Sequence, residues 1–152
     1  MVLQNLKFHC LFWNDLSKNE LYELLRLRQA VFVYEQYCPF VDNDRLDQKA
    51  LHLWLSKDEA PIAYSRVLAP GSQYQEASFG RLVVDKSFRG KGLAAFLIEQ
   101  SLQQISAHYG AVPIRIMAQH YLVAFYSRYG FKKLEGAVWE DDILHFYMTK
   151  AG

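Results

Sequence analysis

The sequence lacks the features that mark disulfide scaffolds, zinc proteins, membrane proteins and nucleic-acid-binding proteins. It has two cysteines, Cys10 and Cys38, and neither belongs to a Cys-x-x-Cys pair or to a Cys/His spacing typical of zinc. No apolar run approaches the length of a membrane span. Seventeen Lys and Arg against sixteen Asp and Glu leave a formal charge of +1, which does not indicate a nucleic-acid partner.

The first residues, MVLQNLKFHC, also lack the charged and long apolar regions of a signal peptide. We therefore expect a cytoplasmic protein with free thiols, and we expect no metal, nucleic acid or membrane as a partner. What the chain does have is 51% hydrophobic and 15% aromatic residues among its 152. That composition predicts a globular chain with a real core, and the length predicts a single domain over residues 1–152.

Hydrophobic periodicity predicts an alternation of helices and strands. Ser17-Lys-Asn-Glu20 has the form of a capping box, which predicts a helix from there to about Val33. Apolar residues at helical spacing predict two more helices, at 92–109 and 121–129. Alternating or β-branched segments predict strands at 7–13, 50–55, 61–68, 77–84, 113–118, 131–134 and 143–150. This order predicts a mixed α/β (α+β) fold with a mostly antiparallel sheet, and it leaves residues 34–48 as a long irregular segment of a kind that is often functional.

Residues 84–100, VDKSFRGKGLAAFLIEQ, place two glycines and several cations at the start of a predicted helix. A helix N-terminus carries unpaired backbone N–H groups and a partial positive charge. Gly90 and Gly92 let a ligand approach the backbone closely, and Arg89 and Lys91 add full positive charges. The segment therefore predicts a cradle for an anion, most naturally a phosphate or a pyrophosphate.

Two common nucleotide-binding templates fit this loop poorly. A Walker loop needs glycine five positions before the Gly-Lys pair and Ser or Thr after the lysine, where this chain has Asp85 and Gly92. The letters of a dinucleotide motif are present at Gly90, Gly92 and Ala95. However, residues 85–89 separate the strand from the first glycine, and the acidic residue expected about 20 positions later is missing. A dinucleotide-binding oxidoreductase is therefore disfavoured.

A third template fits better and extends along the chain. Arg89-x-x-Gly92-x-Ala94 matches the Q/R-x-x-G-x-G/A loop of the GNAT superfamily of acyl-CoA-dependent N-acetyltransferases. Residues 80–85 (GRLVVD) resemble the strand that precedes this loop in the family. Residues 124–131 (AFYSRYGF) resemble the later family helix that ends in Y-x-x-x-G-F. Loop, strand and helix stand in the family's order.

The first half of the chain adds to this resemblance. Residues 28–47, RQAVFVYEQYCPFVDNDRLD, together with His52, are similar to the ElaA-like branch of the superfamily. The resemblance implies a GNAT fold, in which a mixed, mostly antiparallel central sheet is flanked by helices and splayed at the acetyl-CoA site. It implies direct transfer of an acetyl group from acetyl-CoA to a primary amine of a small molecule or a protein, without a metal. A homodimer is among the assemblies that it allows.

The same resemblance implies where acetyl-CoA is held. Its pantetheine arm would pair with the backbone of Leu82, Val83 and Val84, as an added strand pairs with an exposed sheet edge. Its pyrophosphate would rest on the backbone amides of the loop, whose residues are Arg89, Gly90, Lys91, Gly92, Leu93 and Ala94. Gln119 stands where many relatives have Asn or Gln close to the cofactor.

Tyr126 occupies the position that often provides the general acid of the family. A phenol near the thioester sulfur can protonate the departing CoA thiolate or stabilise its charge. The general base is less defined, because residues 78–84 lack the glutamate that the histone-type pattern carries in this strand. The candidates, acting directly or through a water, are Glu35, His52, Glu140 and His145.

Glu35 ranks first among these candidates, because it lies in the irregular segment that would cover the acceptor. His52, on an alternating strand, is better explained as a structural histidine. His120, beside Gln119, is a further candidate base that a surface position explains equally well.

The acceptor is indicated only by charge. Two acidic clusters, Asp42 with Asp44 and Asp47, and residues 140–142 (EDD), either attract a cationic amine or are solvated loops. The missing strand glutamate also leaves a second function open. This is a non-catalytic acyl-CoA-binding sensor or interaction module with the same fold.

Overall fold

Two antiparallel sheets form the centre of the structure, a computed structural model that describes residues 4–37, 40–140 and 142–152. The first is a meander in chain order: β1 (Leu6–Phe12), β2 (Leu51–Lys57), β3 (Ala60–Leu68) and β4 (Ser78–Val84). The second has β5 (Ile114–Gln119) on one side of β8 (Ile143–Lys150), with β6 (Lys132–Lys133) and β7 (Val138–Glu140) on the other. The helices are α1 (Lys18–Gln29), α2 (Leu93–Tyr109) and α3 (Val123–Ser127).

The start of α1 follows directly from its sequence. The Ser17 hydroxyl accepts a hydrogen bond from the Glu20 backbone N–H, and the Glu20 carboxylate accepts one from the Ser17 N–H, both at 3.0 Å. The predicted capping box is therefore confirmed. The α-helix itself ends at Gln29, and a π-helical segment, Ala30–Glu35, continues it to two residues beyond the predicted end at about Val33. Such segments are rare and are frequent near functional sites.

The remaining elements agree with the predicted order, with two differences. The strand β7 was not predicted, because three exposed residues give no usable period. The predicted helix at 121–129 is shorter, since a 3-10 turn (His120–Leu122) precedes α3 and the helix ends at Ser127.

Helices cover both faces of the first sheet. Leu97 and Ile98 of α2 pack with Leu53 of β2 in the main core, and all three are fully buried. Leu24 of α1 packs with Trp54 in a second cluster. As a result every residue from 51 to 56 is buried, although alternation in this segment suggested one polar face.

The two sheets touch along one edge and then diverge. The contact is a parallel bridge between Ala77 and Ile114, at the start of β4 and β5, with Arg115 N–H donating to Ala77 O at 2.9 Å. Within the part of the chain that the structure describes, no further ladder joins these strands. A β-bulge sets Arg81 and Leu82 opposite Ser65, and Arg81 takes a positive φ of 50°. The expected splayed sheet is confirmed.

Three arginines and three aspartates form a closed ring of ion pairs next to β4. In order around the ring, the contacts are Arg28–Asp42 at 2.8 Å, Asp42–Arg81 at 2.9 Å, Arg81–Asp44 at 3.2 Å, Asp44–Arg66 at 2.7 Å, Arg66–Asp47 at 3.0 Å and Asp47–Arg28 at 2.7 Å. The Asp42–Arg81 pair is too poorly aligned for a hydrogen bond. The ring joins α1, β3 and β4 to the loop at residues 42–47.

This ring corrects both interpretations of the first acidic cluster. Asp42 and Asp47 are buried, so they do not form a solvated loop. Burial alone would raise the pKa of Asp44, but the hydrogen bond and charge of Arg66 outweigh it and lower the pKa to about 2. Since three cations balance three anions, the cluster has no spare charge with which to attract an amine. In the second cluster, Asp141 lies outside the described residues.

Replacing Asp47 with Asn should strongly destabilise the protein. Arg28 and Arg66 would each lose an anionic partner while remaining buried, and breaking a buried ion pair costs about 3–5 kcal/mol. Urea unfolding at neutral pH measures the change. Asp58→Asn, in the exposed β2–β3 turn, is the matched control and should change the free energy of unfolding by less than about 0.5 kcal/mol. Equal losses in the two variants would contradict a structural role for the ring.

Candidate active site

The diverging strands β4 and β5 enclose a cleft of about 350 Å³. Its walls also include residues of the π-helical segment, of α3 and of the adjoining ends of β7 and β8. Much of the lining is aromatic or aliphatic. Its amide, charged and imidazole groups belong to Gln36, Gln73, Arg81, Gln119, Glu140 and His145. Such a cleft can enclose an apolar chain and offers a few polar groups at defined places.

The glycine loop leads from β4 into α2. Gly90 and Gly92 have positive φ angles of 75° and 80°, a conformation that other residues adopt only with strain. A Cβ built at either glycine meets nothing within 4 Å, so the space above the loop is open. The Leu93 side chain is buried in the core, which leaves only its backbone for a ligand. The geometry is that of an open anion cradle at a helix N-terminus.

Beside the loop, one edge of β4 has no strand partner among the described residues. Val83 and Val84 pair on the other side with Tyr64 and Ala63 of β3. The Val83 side chain is buried against α1, while Leu82 lines the cleft. Side chains thus fix the strand in the core, and the backbone beyond the Ala77 bridge remains available for pairing with a ligand.

Arg89 connects this loop to the π-helical segment. Its two terminal nitrogens contact both carboxylate oxygens of Glu35, with Nη2–Oε2 at 2.8 Å, and its Nε donates to Val84 O at 3.0 Å. The hydrogen bond from Arg89 lowers the pKa of Glu35. A carboxylate with a lowered pKa is a weaker proton acceptor, and Glu35 is not among the residues that line the cleft. The structure therefore brings Glu35 to the glycine loop rather than to the cleft.

Tyr126 lies in the wall of the cleft, where Phe79, Phe125 and Phe131 surround its ring. Burial and, to a smaller extent, the nearby Tyr121 together raise the pKa of Tyr126 to about 12. Its side chain thus stays a neutral hydrogen-bond donor over the physiological pH range. Without the family resemblance, the sequence does not distinguish this tyrosine from its neighbours.

The neighbouring tyrosines differ from Tyr126 in position. Tyr129 packs on Phe125 and does not line the cleft. Tyr121 lines the cleft but is well exposed, and its hydroxyl donates to the side-chain carbonyl of Gln119. Gln119 also lines the cleft, and Tyr121 orients its side-chain amide.

The histidine candidates separate by their hydrogen bonds and positions. His52 is fully buried, with Nε2 donating to Asp47 O at 2.9 Å and Nδ1 accepting from the Tyr64 hydroxyl at 2.7 Å. Both ring nitrogens are used, which confirms the structural interpretation of His52. His120 is exposed and is not part of the cleft lining. His145 lines the cleft, as does Glu140.

This combination of splayed sheet, glycine loop and cleft has close counterparts among known proteins. The family profile described as an acetyltransferase (GNAT) domain matches residues 14–151. The chain belongs to the GNAT acetyltransferase family. The predicted family is therefore confirmed. Members of this family bind an acyl-CoA and an acceptor.

Individual GNAT relatives agree with this assignment over nearly their whole length. The crystal structure of an acyl-CoA N-acyltransferase from Pseudomonas aeruginosa superposes with a TM-score of 0.93 at 38% identity, covering 96% of this chain and 99% of that one. The crystal structure of Escherichia coli ElaA gives 0.89 at 31% identity, covering 95% and 99%. UPF0039 protein sll0451 of Synechocystis sp. is 36% identical over 137 residues, which are 90% of this chain and 89% of that protein. The resemblance to ElaA is therefore confirmed.

The described part of this GNAT domain also bears on metal binding, membrane spanning and thiol reactivity. No three His, Cys, Asp or Glu side chains there are grouped so that they could hold a metal ion. No described helix is long and apolar enough to cross a membrane. Cys10 is a free thiol, and burial raises its pKa, which makes it a weak nucleophile. Cys38 lies outside the described residues.

Proposed function

We propose that this GNAT domain transfers an acetyl group from acetyl-CoA directly to a primary amine. The observation that carries the proposal is the unpartnered edge of β4, which leads into an open glycine loop at the N-terminus of α2. A thioester cofactor with amides in its arm and a pyrophosphate in its body matches both features at once. The buried Tyr126 beside them adds a proton donor for the thiolate that must leave.

The cofactor contacts follow from backbone chemistry. Pantetheine amides would pair with the backbone of Leu82, Val83 and Val84, and the pyrophosphate would accept hydrogen bonds from the amides of residues 89–94. Arg89 and Lys91 would supply charge, and Gln119 would lie near the thioester. Because Leu93 and Val83 are fixed in the core, the edge and the loop hold their shape before the cofactor arrives.

The reaction needs a proton donor at sulfur. As the amine nitrogen bonds to the thioester carbon, the carbon–sulfur bond breaks and the electron pair goes to sulfur. The Tyr126 hydroxyl then donates its proton to the thiolate or stabilises its charge by a hydrogen bond. Burial suits this role, since it keeps the phenol protonated and removes competing water.

Glu35 was first among the predicted bases, and its geometry favours a different role. The pyrophosphate of acetyl-CoA would contact Arg89, but the two terminal nitrogens of this guanidinium already contact the Glu35 carboxylate. We assign to Glu35 the task of orienting Arg89 and limiting its attraction for phosphate. The carboxylate thus sets cofactor affinity from the end of the π-helical segment.

Acetyl-CoA itself provides the first test, by thermal shift with NAD as the comparison ligand. At about 100 times Kd, acetyl-CoA should stabilise the protein by about 2.7 kcal/mol, whereas NAD should have no effect. Gly92→Val should weaken acetyl-CoA binding by roughly tenfold or more, about 1.4 kcal/mol, because the side chain would enter the cradle. Gly136→Val, between β6 and β7, replaces another glycine that has a positive φ (88°) and open space at its Cβ, and this variant should bind normally. Equal affinities in the two variants would mean that the loop does not bind the cofactor.

Tyr126→Phe should separate binding from chemistry. Loss of the hydroxyl should lower kcat by roughly 10²-fold while the affinity for acetyl-CoA stays unchanged, since the ring keeps its aromatic contacts. Thiol release from acetyl-CoA with a panel of primary amines measures kcat. Tyr129→Phe is the control and should behave as the wild type. Wild-type protein that binds acetyl-CoA but releases no thiol with any amine would be a sensor rather than an enzyme.

Glu35→Gln should distinguish a base from an orienting residue. Removing the carboxylate charge frees Arg89 for the pyrophosphate, so the affinity for acetyl-CoA should rise about two- to fivefold, the range expected for a solvent-exposed ion pair. The value of kcat should change little. Calorimetric titration and thiol release measure the two quantities. A large fall in kcat with unchanged affinity would instead support Glu35 as the general base.

A further inference from the structure

His145 is a largely buried histidine whose ring is only partly used by hydrogen bonds within the described structure. It lies on β8, the central strand of the second sheet, opposite Gln119 of β5 and Val138 of β7. Its exposed fraction is 9%, and the exposed part belongs to the lining of the cleft. Residues of this kind are normally satisfied by hydrogen bonds on both ring nitrogens.

The hydrogen bonding of His145 defines which nitrogen is available. Its Nδ1 lies 2.8 Å from the backbone oxygen of Ile143. A carbonyl oxygen can only accept, so Nδ1 carries the hydrogen. In the neutral ring the lone pair is then on Nε2, and no hydrogen bond from the described residues reaches that atom. A base held by a hydrogen bond at its other nitrogen is the usual arrangement for proton abstraction.

The other candidate bases either are already bonded to other groups or are more exposed to solvent than His145. Glu35 pairs with Arg89, and both nitrogens of His52 are bonded inside the fold. Glu140 lines the same cleft as His145, two positions along the paired strands, but its side chain is exposed. An exposed carboxylate in the lining of the cleft suits attraction of a cationic amine better than proton transfer inside the cleft.

We propose that His145 is the general base for the acceptor amine, and this inference rests on the proposed function. A cationic amine first loses one proton to solvent, which frees the lone pair of its nitrogen. The Nε2 of His145 then takes a second proton from this nitrogen as it bonds to the thioester carbon. The carbon–sulfur bond breaks, and Tyr126 protonates the departing sulfur. His145 then loses its proton to solvent and Tyr126 regains one, so the products are an amide and free CoA. The acceptor is a primary amine that reaches the cleft past Glu140.

His145→Asn tests this role while preserving the local structure. The Asn side-chain amide can still donate to Ile143 O, but the nitrogen that corresponds to Nε2 is removed. His145→Gln is a second variant in case the first folds poorly. Both should lower kcat by roughly 10²–10⁴-fold, the usual contribution of a general base, with the affinity for acetyl-CoA unchanged. His108→Asn, an exposed histidine on α2 outside the cleft, is the matched control and should retain activity.

Acetyl-CoA with putrescine, tyramine, benzylamine and lysine is the assay, read as thiol release. A folded His145 variant that keeps wild-type affinity and a kcat within about threefold of wild type overturns the inference and leaves the proposed function standing. If Glu140→Gln lowers kcat and neither His145 variant does, the base is Glu140 and the inference is also overturned. If the wild type binds acetyl-CoA but acetylates none of these amines, the proposed function fails and the inference fails with it.

Discussion

The ring of three arginines and three aspartates is the constraint on which the site depends. A buried charge without its partner is expensive, so the ring is stable only when all six side chains are in place. Its members come from α1, β3, β4 and the loop at residues 42–47, which the ring therefore holds in one arrangement. The acidic residues of this loop had suggested attraction of a cationic amine. In the structure they instead fix the loop to the helix and to the sheet through ion pairs.

The ring of ion pairs also stabilises the β-bulge in β4, which lies at the cleft. Arg81 belongs to the ring and to the β4 bulge, where its positive φ costs about 1–3 kcal/mol of backbone strain. Its guanidinium is fixed by Asp42 and Asp44, and it lies over the ring of Phe40 at 5.5 Å from the centroid. The bulge places Leu82 at the cleft beside the diverging strands. Charge pairing in the first sheet thus shapes the edge on which the proposed cofactor would lie.

Features that depend on residues close together in the sequence could be predicted. Features that depend on contacts between distant segments could not. The Ser17–Glu20 cap, the positive-φ glycines of the loop and the order of the strands all depend on local hydrogen bonds or on a local period. The aspartates find arginines 14 to 39 residues away, and Glu35 finds Arg89 across 54. A cluster of like charges in the sequence therefore gave no sign of its partners. For the same reason the positions of the candidate bases along the chain do not show which of them line the cleft.

The ring gives a physical reason why a base should lie on the second sheet. In the histone-type pattern the acid stands in the strand before the loop, which here is β4. In this chain Arg81 occupies that strand and is matched by Asp42 and Asp44, so another carboxylate at the bulge would upset a balanced set of charges. The opposite wall, formed by β5 and β8, carries no such constraint. A neutral histidine there can accept a proton without disturbing the ring, and it faces the same cleft as Tyr126. Acid and base would then approach the thioester from separate elements, each fixed by its own sheet or helix.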